Sequence, residues 1–318
     1  SLPTRRSRVR PPLPAPNLIV IKSLIITKIF QNYLENKDIR IFKNSFFYYL
    51  LFRIVRSFLA NDIIIKIYNF KVYGSIKKNI TSYFLLKKCE FGDYDEINTI
   101  NKFSENNKIF FVDCGCNYGF YSFYVASISK KNFVLSIEAS KKTSAYFLKN
   151  NEINKFNNIE FFNKAVSKKD NEEMKFNESE NDWESSLSHS EFTSSKVEKV
   201  KTVKLDTLLE SYNLKGFSLF IKLDIEGHEV QAIQGALKII EKYSPIIIIE
   251  FSKFIFDKKE NFEYLKLFLT KYDYEIYDTK KNRKKLSEIV EEISMLKKRH
   301  KTIGNYFLCN KLLNNIKL

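Results

Sequence analysis

Histidine, cysteine, methionine and tryptophan are scarce in this 318-residue chain, at three, four, two and one. His189, His228 and His300 do not cluster in sequence. Cys114 and Cys116 lack zinc-ligand spacing, no second pair follows, and Cys89 and Cys309 stand far from them. No metal site is therefore expected, and the four thiols read as reduced core residues of a cytoplasmic protein. No run of 18 apolar residues is free of charge, so no transmembrane helix is expected. The apolar stretch Leu18 to Phe30 is interrupted by Lys22 and Lys28 and shows no clear small-residue cleavage site, which leaves a divergent signal or anchor segment as a minor alternative. Two phosphate-binding patterns are also missing: there is no Gly-x-Gly-x-x-Gly and no glycine-rich turn ending in Gly-Lys-Ser/Thr.

Acidic residues are outnumbered. Lys and Arg total 53 against 37 Asp and Glu, a net charge of +16, of which Arg5, Arg6, Arg8 and Arg10 supply four. That balance points to an anionic partner such as a nucleotide-linked sugar, an acidic glycan or a membrane surface. The alternative is a Lys-, Asn- and Ile-rich composition whose scattered lysines only solvate the surface. No basic block interleaves with aromatics as in a nucleic-acid module, so no specific nucleic-acid partner is expected. Residues 1–17 hold five of the six prolines and four of the nine arginines, and read as a disordered or non-native leader outside the fold.

The stretch that organises the rest is Ile109-Phe110-Phe111-Val112-Asp113-Cys114-Gly115-Cys116-Asn117-Tyr118-Gly119. A short apolar run reads as a buried strand, the glycine-bearing end as a turn, and Phe120 to Ile128 as a helix. Strand, glycine turn and helix together present backbone to a nucleotide-like ligand, and glycine permits turning that a Cβ would block. The next apolar run, Phe133 to Ile137, ends on Glu138, 23 residues after Gly115. A carboxylate at that strand end can accept both hydroxyls of a ribose. Glycine turn and ribose acid imply an adenosine-type cofactor.

From there the chain alternates. Strands are predicted at 109–114, 133–138, 158–163, 218–224, 245–251, 273–278 and 304–310, and helices at 119–130, 141–151, 206–213, 228–241 and 259–271. This alternation predicts an α/β domain, a mostly parallel seven-stranded sheet with helices on both faces. Asp206 reads as an N-cap, and 280–300 as a region bearing an amphipathic helix. Residues 18–90 form an N-terminal helical and aromatic extension, with one or two strands within 62–90, and 91–318 the main domain. Within 44–60, Phe46 to Phe52 and Arg53 and Arg56 fit either a helix packed on the core or a dimer partner, which is the commoner case, or an interfacial helix touching a membrane.

Asp113-x-Gly115-x-Asn117-x-Gly119 resembles motif I of class I S-adenosylmethionine-dependent methyltransferases. Farther on stands Phe220-Ile221-Lys222-Leu223-Asp224-Ile225-Glu226-Gly227-His228-Glu229, followed by Gly235-Ala236. Together these resemble the FkbM family over roughly residues 90–310. Cys114 and Cys116 stand where that family more often has Val and Ala. The resemblance implies a Rossmann-like class I methyltransferase fold and S-adenosyl-L-methionine as cofactor. It implies cofactor contacts from Asp113, Gly115, Asn117, Tyr118, Gly119, Glu138, Ala139, Asn163, Ala165 and Asp224, with Lys164 beside the adenine. It also implies a short hairpin and a loop bearing Ser186-Leu187 within 168–200; the polar composition of that segment reads as either a substrate lid, which Trp183 favours, or disorder.

Lys222, Asp224 and Glu226 alternate on one face of a strand and its exit, and three buried charges must reach the mouth or pair with one another. Asp224, Glu226, His228 and Lys222 are the candidate catalytic residues. His228 as a surface residue and Glu229 as a first-turn acid on the helix dipole are the plain alternatives. Tyr94, Asp95 and Glu96 are placed at the border of the site. The expected function is O-methylation of a hydroxyl on a sugar, glycan or other small polar acceptor in the cytoplasm, either free or peripheral to an inner membrane. The alternatives are a non-catalytic interaction module and a nucleotide-dependent oxidoreductase. An amino-methylating enzyme of nucleic acid is disfavoured because Asp-Ile-Glu-Gly stands where Asn-Pro-Pro-Tyr would be. Oligomeric state does not follow from the sequence.

Overall fold

The computed structural model describes residues 18–55, 63–74, 85–90, 92–178, 196–296 and 302–311. The N-terminal extension opens with α1 (Leu18–Asn36), a 3-10 turn at Ile39–Phe42, and α2 (Phe46–Val55). A hairpin follows within 62–90, where one or two strands are expected, β1 (Ile63–Ile67) against β2 (Phe70–Gly74). The β-branched Ile63-Ile64-Ile65 with inward–outward alternation favours strand there.

The main domain begins with α3 (Tyr94–Asn106) and proceeds through β3 (Ile109–Cys114), α4 (Phe120–Ile128), β4 (Phe133–Ile137), α5 (Lys141–Asn154) and β5 (Ile159–Phe162). Next come the short β6 (Ala165–Val166), β7 (Glu173–Glu178) and β8 (Lys196–Val203), which form a three-stranded sheet of their own. Trp183, Ser186 and Leu187 lie outside the described residues. The chain then returns through α6 (Leu205–Leu209), β9 (Ser218–Leu223), α7 (Glu229–Gln234), α8 (Leu237–Tyr243) and β10 (Ile246–Ser252). It closes with α9 (Lys253–Phe256), α10 (Lys259–Lys271), β11 (Tyr274–Tyr277), β12 (Arg283–Lys284), α11 (Leu286–Ser294) and β13 (Thr302–Asn310).

The large sheet runs β12-β11-β13-β10-β9-β3-β4-β5. Strands β5, β4, β3, β9 and β10 are parallel, and β13 is antiparallel to both β10 and β11. This is the Rossmann-like class I methyltransferase order. The seven expected strands make it, and the two-residue β12 adds an edge. The central strands are buried on both faces, which is why their sequences are continuously apolar. Phe111, Phe220, Ile248 and Phe307 belong to the layer under α3 and α4, where Phe103 meets Phe220 edge-on at 5.1 Å. Val112, Ile221, Ile249 and Leu308 face the opposite layer with Val230, Ile233, Ile240, Leu265 and Phe268.

Two helix ends differ from expectation. The helix predicted at 228–241 is broken at Gly235, where an added Cβ would stand 2.2 Å from the Ser167 carbonyl oxygen. Asp206 lies inside α6 rather than capping it; its carboxylate accepts from Lys238 N and Ile239 N, at 3.2 and 2.9 Å, and so caps α8 across the chain. Replacing it leaves those donors unmet. Asp206→Ala is expected to destabilise the protein by about 1 kcal/mol. That corresponds to a melting temperature lower by about 2–4 °C in thermal unfolding.

Candidate functional site

Strand register gathers the polar residues at the carboxyl edge of the sheet. Asp113 pairs with Lys222, Lys222 with Ile248, and Ile248 with Phe307. One row higher, Glu250 pairs with Asn305, and Asp224 continues β9 beside it. Residues two apart share a face, so a polar row of Asp224, Glu250 and Asn305 caps the apolar layer under α3 and α4.

On one side of this row lies the glycine turn. Gly115, Asn117 and Gly119 all adopt left-handed backbone, at φ of 78°, 50° and 88°. A Cβ on Gly115 would lie 2.0 Å from the Asp224 carbonyl oxygen, so the turn and the end of β9 touch directly. A Cβ on Gly119 would strike the rings of Phe123 and Phe147. Both glycines are thus demanded by the fold as well as by any ligand.

Glu138 closes the turn from β4. Its carboxylate accepts Asn117 N at 3.0 Å and Ser140 N at 2.8 Å. Burial pushes its pKa up to about 7, against the pull of the Ser140, Asn117 and Ala139 backbone N–H groups. The Asn163 amide donates to the Glu138 and Ala139 carbonyls and to Ser144 Oγ, pinning the loop after β5 to the loop after β4. Ala139 and Ala165 pack together with Phe176 and Val200 of the small sheet. Tyr118 is fully buried, its ring 5.0 Å from that of Tyr146, and Asn150 donates to its carbonyl. Asn163, Ala139 and Ala165 thus share the Glu138 side of the turn.

Asp113 and Lys222 lie beneath the turn, both buried. Asp113 accepts Ser122 Oγ at 2.6 Å, and Ser122 in turn meets Ser136 Oγ at 2.8 Å. Burial raises the Asp113 carboxyl, and Lys222 and Ser122 oppose the shift. Lys222 Nζ meets Asp224 Oδ2 at 2.5 Å and stands 4.7 Å from the centre of the Tyr121 ring. Burial alone would lower the Lys222 pKa, but Asp224 and Asp113 together hold it well above the usual lysine value. Tyr121 donates its hydroxyl to Asp93 at 2.9 Å. Asp93, Asp113 and Asp224 therefore surround one ammonium. Asp93 was not anticipated from sequence, since a lone Asp before a helix reads as a cap.

The Glu226–Glu229 turn is tightly wound, with Glu226 and Gly227 at φ of 54° and 93°. Glu229 is fully buried and accepts Ile225 N and Gly227 N at 3.0 and 3.2 Å. Its role is to tie this turn, not to sit exposed on a helix dipole. His228 is also buried, with Nε2 3.1 Å from Ser167 Oγ. Burial, then Lys258 and Lys168, pull its pKa down to about 4, so the ring is neutral near pH 7. The structure joins His228 to the Ser167 loop and joins Lys222, Asp224 and Glu226 to one another.

The acid that sequence reading missed is Glu250. It ends the run Ile246 to Ile249, where the apolar pattern hid it. Oxygens of Asp224, Glu226 and Glu250 lie within 4.8 Å of one another. Burial first, then Asp224, push Glu250 up to about 8, with Lys222 opposing. This spacing is one a divalent cation also accepts; here the Lys222 ammonium supplies positive charge from below. Beside the row opens a pocket of about 300 Å³, lined by Tyr94, Asp95, Glu96, Asp278, Asn305 and Tyr306 among others. Asn305 donates to Glu96 at 2.9 Å across its floor.

These buried acids set a pH dependence. Glu138 and Glu229 at about 7 and Glu250 at about 8 all lie above the unfolded carboxyl value. Asp93, Glu96 and Asp113 shift the same way. Each binds a proton more readily folded than unfolded, so its stability is full below pH 4.5 and is lost as pH rises through the folded value. His228, lowered, works oppositely but only below about 6.5. Thermal unfolding is therefore expected to show a falling melting temperature between about pH 6.5 and 8.

Residues 113–276 match the methyltransferase FkbM domain. No curated protein sequence matches the chain significantly. Among solved structures, the chain is similar to methyltransferase FkbM from Methylobacillus flagellatus KT, with 14% identity and a TM-score of 0.40. That alignment takes in 91% of this chain and spans 60% of the Methylobacillus protein. It is also similar to M. jannaschii TYW2 in complex with AdoMet, with 15% identity, a TM-score of 0.37, and 78% and 83% of the two chains covered. A third is the precorrin-6y C5,15-methyltransferase of Geobacter metallireducens GS-15, with 7% identity, a TM-score of 0.34, and 67% and 84% covered.

Proposed function

The chain belongs to the FkbM methyltransferase family, and we propose that it uses S-adenosyl-L-methionine to methylate a hydroxyl of a sugar, glycan or other small polar acceptor. One observation carries the reading. The glycine turn abuts the Asp224 backbone, and Asp224, Glu226 and Glu250 converge there beside a polar pocket. A cofactor cradle and an acid–base group are thus neighbours.

The residues present fit the cofactor. Gly115, Asn117 and Gly119 supply a left-handed turn at the sheet's carboxyl edge, and Glu138 brings a carboxylate to that turn, the group a ribose hydroxyl donates to. Ala139, Asn163 and Ala165 sit where the adenine would lie. When bound, the cofactor supplies an electrophilic methyl group on a sulfonium. Asp113 is buried beneath the turn and acts by bracing it through Ser122.

Glu250 is the group we assign as general base. It takes the proton from the acceptor oxygen as the new carbon–oxygen bond forms and the carbon–sulfur bond breaks. A base with a pKa near the working pH serves this step well. Lys222 fixes Asp224, and Asp224 and Glu226 hold the acceptor or orient the base. His228, neutral and bonded to Ser167, supports the turn from below.

The pocket is at the small end of the range for ligand sites, the size for one sugar unit. Its carboxylates accept hydroxyl hydrogen bonds and repel anions. The four described cysteines are free and buried, which supports a reducing compartment and our placing the reaction in cytoplasmic glycan synthesis. Among the described residues, no helix is long and apolar enough to cross a membrane.

Incubation with methyl-tritiated S-adenosylmethionine and a panel of neutral sugars, amino sugars, uronic acids and oligonucleotides tests the acceptor class. The expected label is alkali-stable, as in an ether, and enters neutral or amino sugars at least about tenfold faster than uronic acids. Label released by alkali as from an ester would overturn the O-methylation reading, and label entering oligonucleotides alone would overturn the small-sugar acceptor.

A further inference from the structure

The outward face of the N-terminal extension is apolar where a water-facing surface is normally polar. Phe46 and Phe47 are 72% and 82% exposed, Ile29 and Ile41 are 64% and 59%, and Leu50 and Leu51 are exposed too. With Tyr33 and Tyr49, eight of the thirteen exposed large apolar side chains among the described residues fall within 29–51. The inner face of α2 is satisfied separately. Tyr48 stacks on Phe42 at 4.6 Å, donates its hydroxyl to the Leu86 carbonyl at 2.7 Å, and neighbours Phe52. The exposed residues are therefore additional to the packing of α1, the 3-10 turn and α2. Soluble monomers rarely leave so many large apolar side chains of neighbouring elements in water.

We propose that this face docks on an anionic lipid surface. Residues 28–53 carry Lys28, Lys37, Arg40, Lys43 and Arg53 against Glu35 and Asp38, a net +3. Asp38 is held by Arg40 at 2.7 Å and Glu35 faces Lys71 at 3.3 Å, so both acids are already matched. Arg53 lies over the Tyr49 ring at 5.9 Å, the pairing of cation and amphipathic aromatic that suits a headgroup layer. A second copy seated on the same face would bring a second cationic excess against the first. Anionic headgroups instead complement that charge while the acyl boundary receives Phe46, Phe47 and Leu50. The face is also joined to the pocket. Lys43 pairs with Glu90, and Gly92 and Tyr94 already line the pocket wall.

Sedimentation of the full-length chain with phosphatidylcholine vesicles, with and without one-quarter phosphatidylglycerol, tests the proposal. Co-sedimentation is expected with phosphatidylglycerol, weakened by salt. The F47S/L50S double variant is expected to lose at least about tenfold in affinity, at unchanged melting temperature and S-adenosylhomocysteine binding, because both side chains are exposed. Arg53→Glu is expected to weaken binding to phosphatidylglycerol vesicles alone. The proposal is overturned if the wild type stays in the supernatant with anionic vesicles, or if F47S/L50S sediments like the wild type. It is equally overturned if light scattering shows a dimer that F47S/L50S converts to monomer, since the face then belongs to a second copy.

Discussion

Glu250→Gln is expected to lower the methyl-transfer rate by about 10²–10⁴-fold, the usual contribution of a positioned acid–base group. S-adenosylhomocysteine affinity is expected to change less than about twofold, because Glu250 lies with the acceptor row and not with the Glu138 side of the turn. The register places it between Asp224 and Asn305, above the buried Lys222. Gln keeps the shape and removes the basicity. Only the ionised carboxylate can take the proton, so the wild-type rate is expected to rise with pH through about 8 and then level. The variant should lack that limb. An E250Q enzyme with wild-type turnover and an unchanged pH profile would move the base to Glu226 or Asp224.

Lys222→Met is expected to destabilise the protein by about 3–5 kcal/mol, the usual consequence of leaving a buried counter-charge unmatched. The ammonium is the cation that Asp113, Asp224 and Asp93 share. Without it the Asp113 and Asp93 carboxyls rise further, and folding then requires that they hold protons. The sign follows. Groups raised in the folded state stabilise at low pH and lose that stability as pH climbs, so the deficit of the variant should be smaller at pH 5 than at pH 8. Urea unfolding at the two pH values reads this directly. Adding Asp224→Asn should recover part of the loss at pH 8. A deficit independent of pH would mean that Lys222 acts through packing alone.

The sheet was largely legible in the sequence, because buried parallel strands carry continuous apolar runs bounded by turns. Ile109 to Cys114 and Ile246 to Ile249 are plain examples, and the antiparallel strand ending at Asn310 follows from the same pattern with the resemblance. The motif residues from Asp113 to Gly119 and from Lys222 to Glu226 were legible because they are contiguous. What escaped depends on contacts between distant segments. Glu250 is the end of an apolar strand until β10 is set beside β9, when it becomes the neighbour of Asp224. Asp93 has no meaning until α3 brings it to Tyr121. Asp206 looked like the cap of its own helix and caps one 31 residues farther on. For α2, periodicity marks Tyr48 and Phe52 as an inner face but does not say that the other face, equally apolar, stays uncovered. Gly115 shows a subtler limit. The sequence marks it as ligand-facing, yet the Asp224 carbonyl fills the space a Cβ would need. Substituting it tests the fold, whereas Glu138→Gln keeps the side chain's shape and one oxygen to accept a backbone N–H of the turn, and so is the milder probe of the cofactor.

Calorimetric titration with S-adenosylhomocysteine, on the wild type and on Glu138→Gln, tests the central claim most directly. The wild type is expected to bind at micromolar affinity, and the variant about 10- to 150-fold more weakly, the effect of losing charge-assisted hydrogen bonds worth about 1.5–3 kcal/mol. A folded wild type that takes up no heat with the ligand, or a variant that binds as the wild type does, would contradict the cofactor site described here.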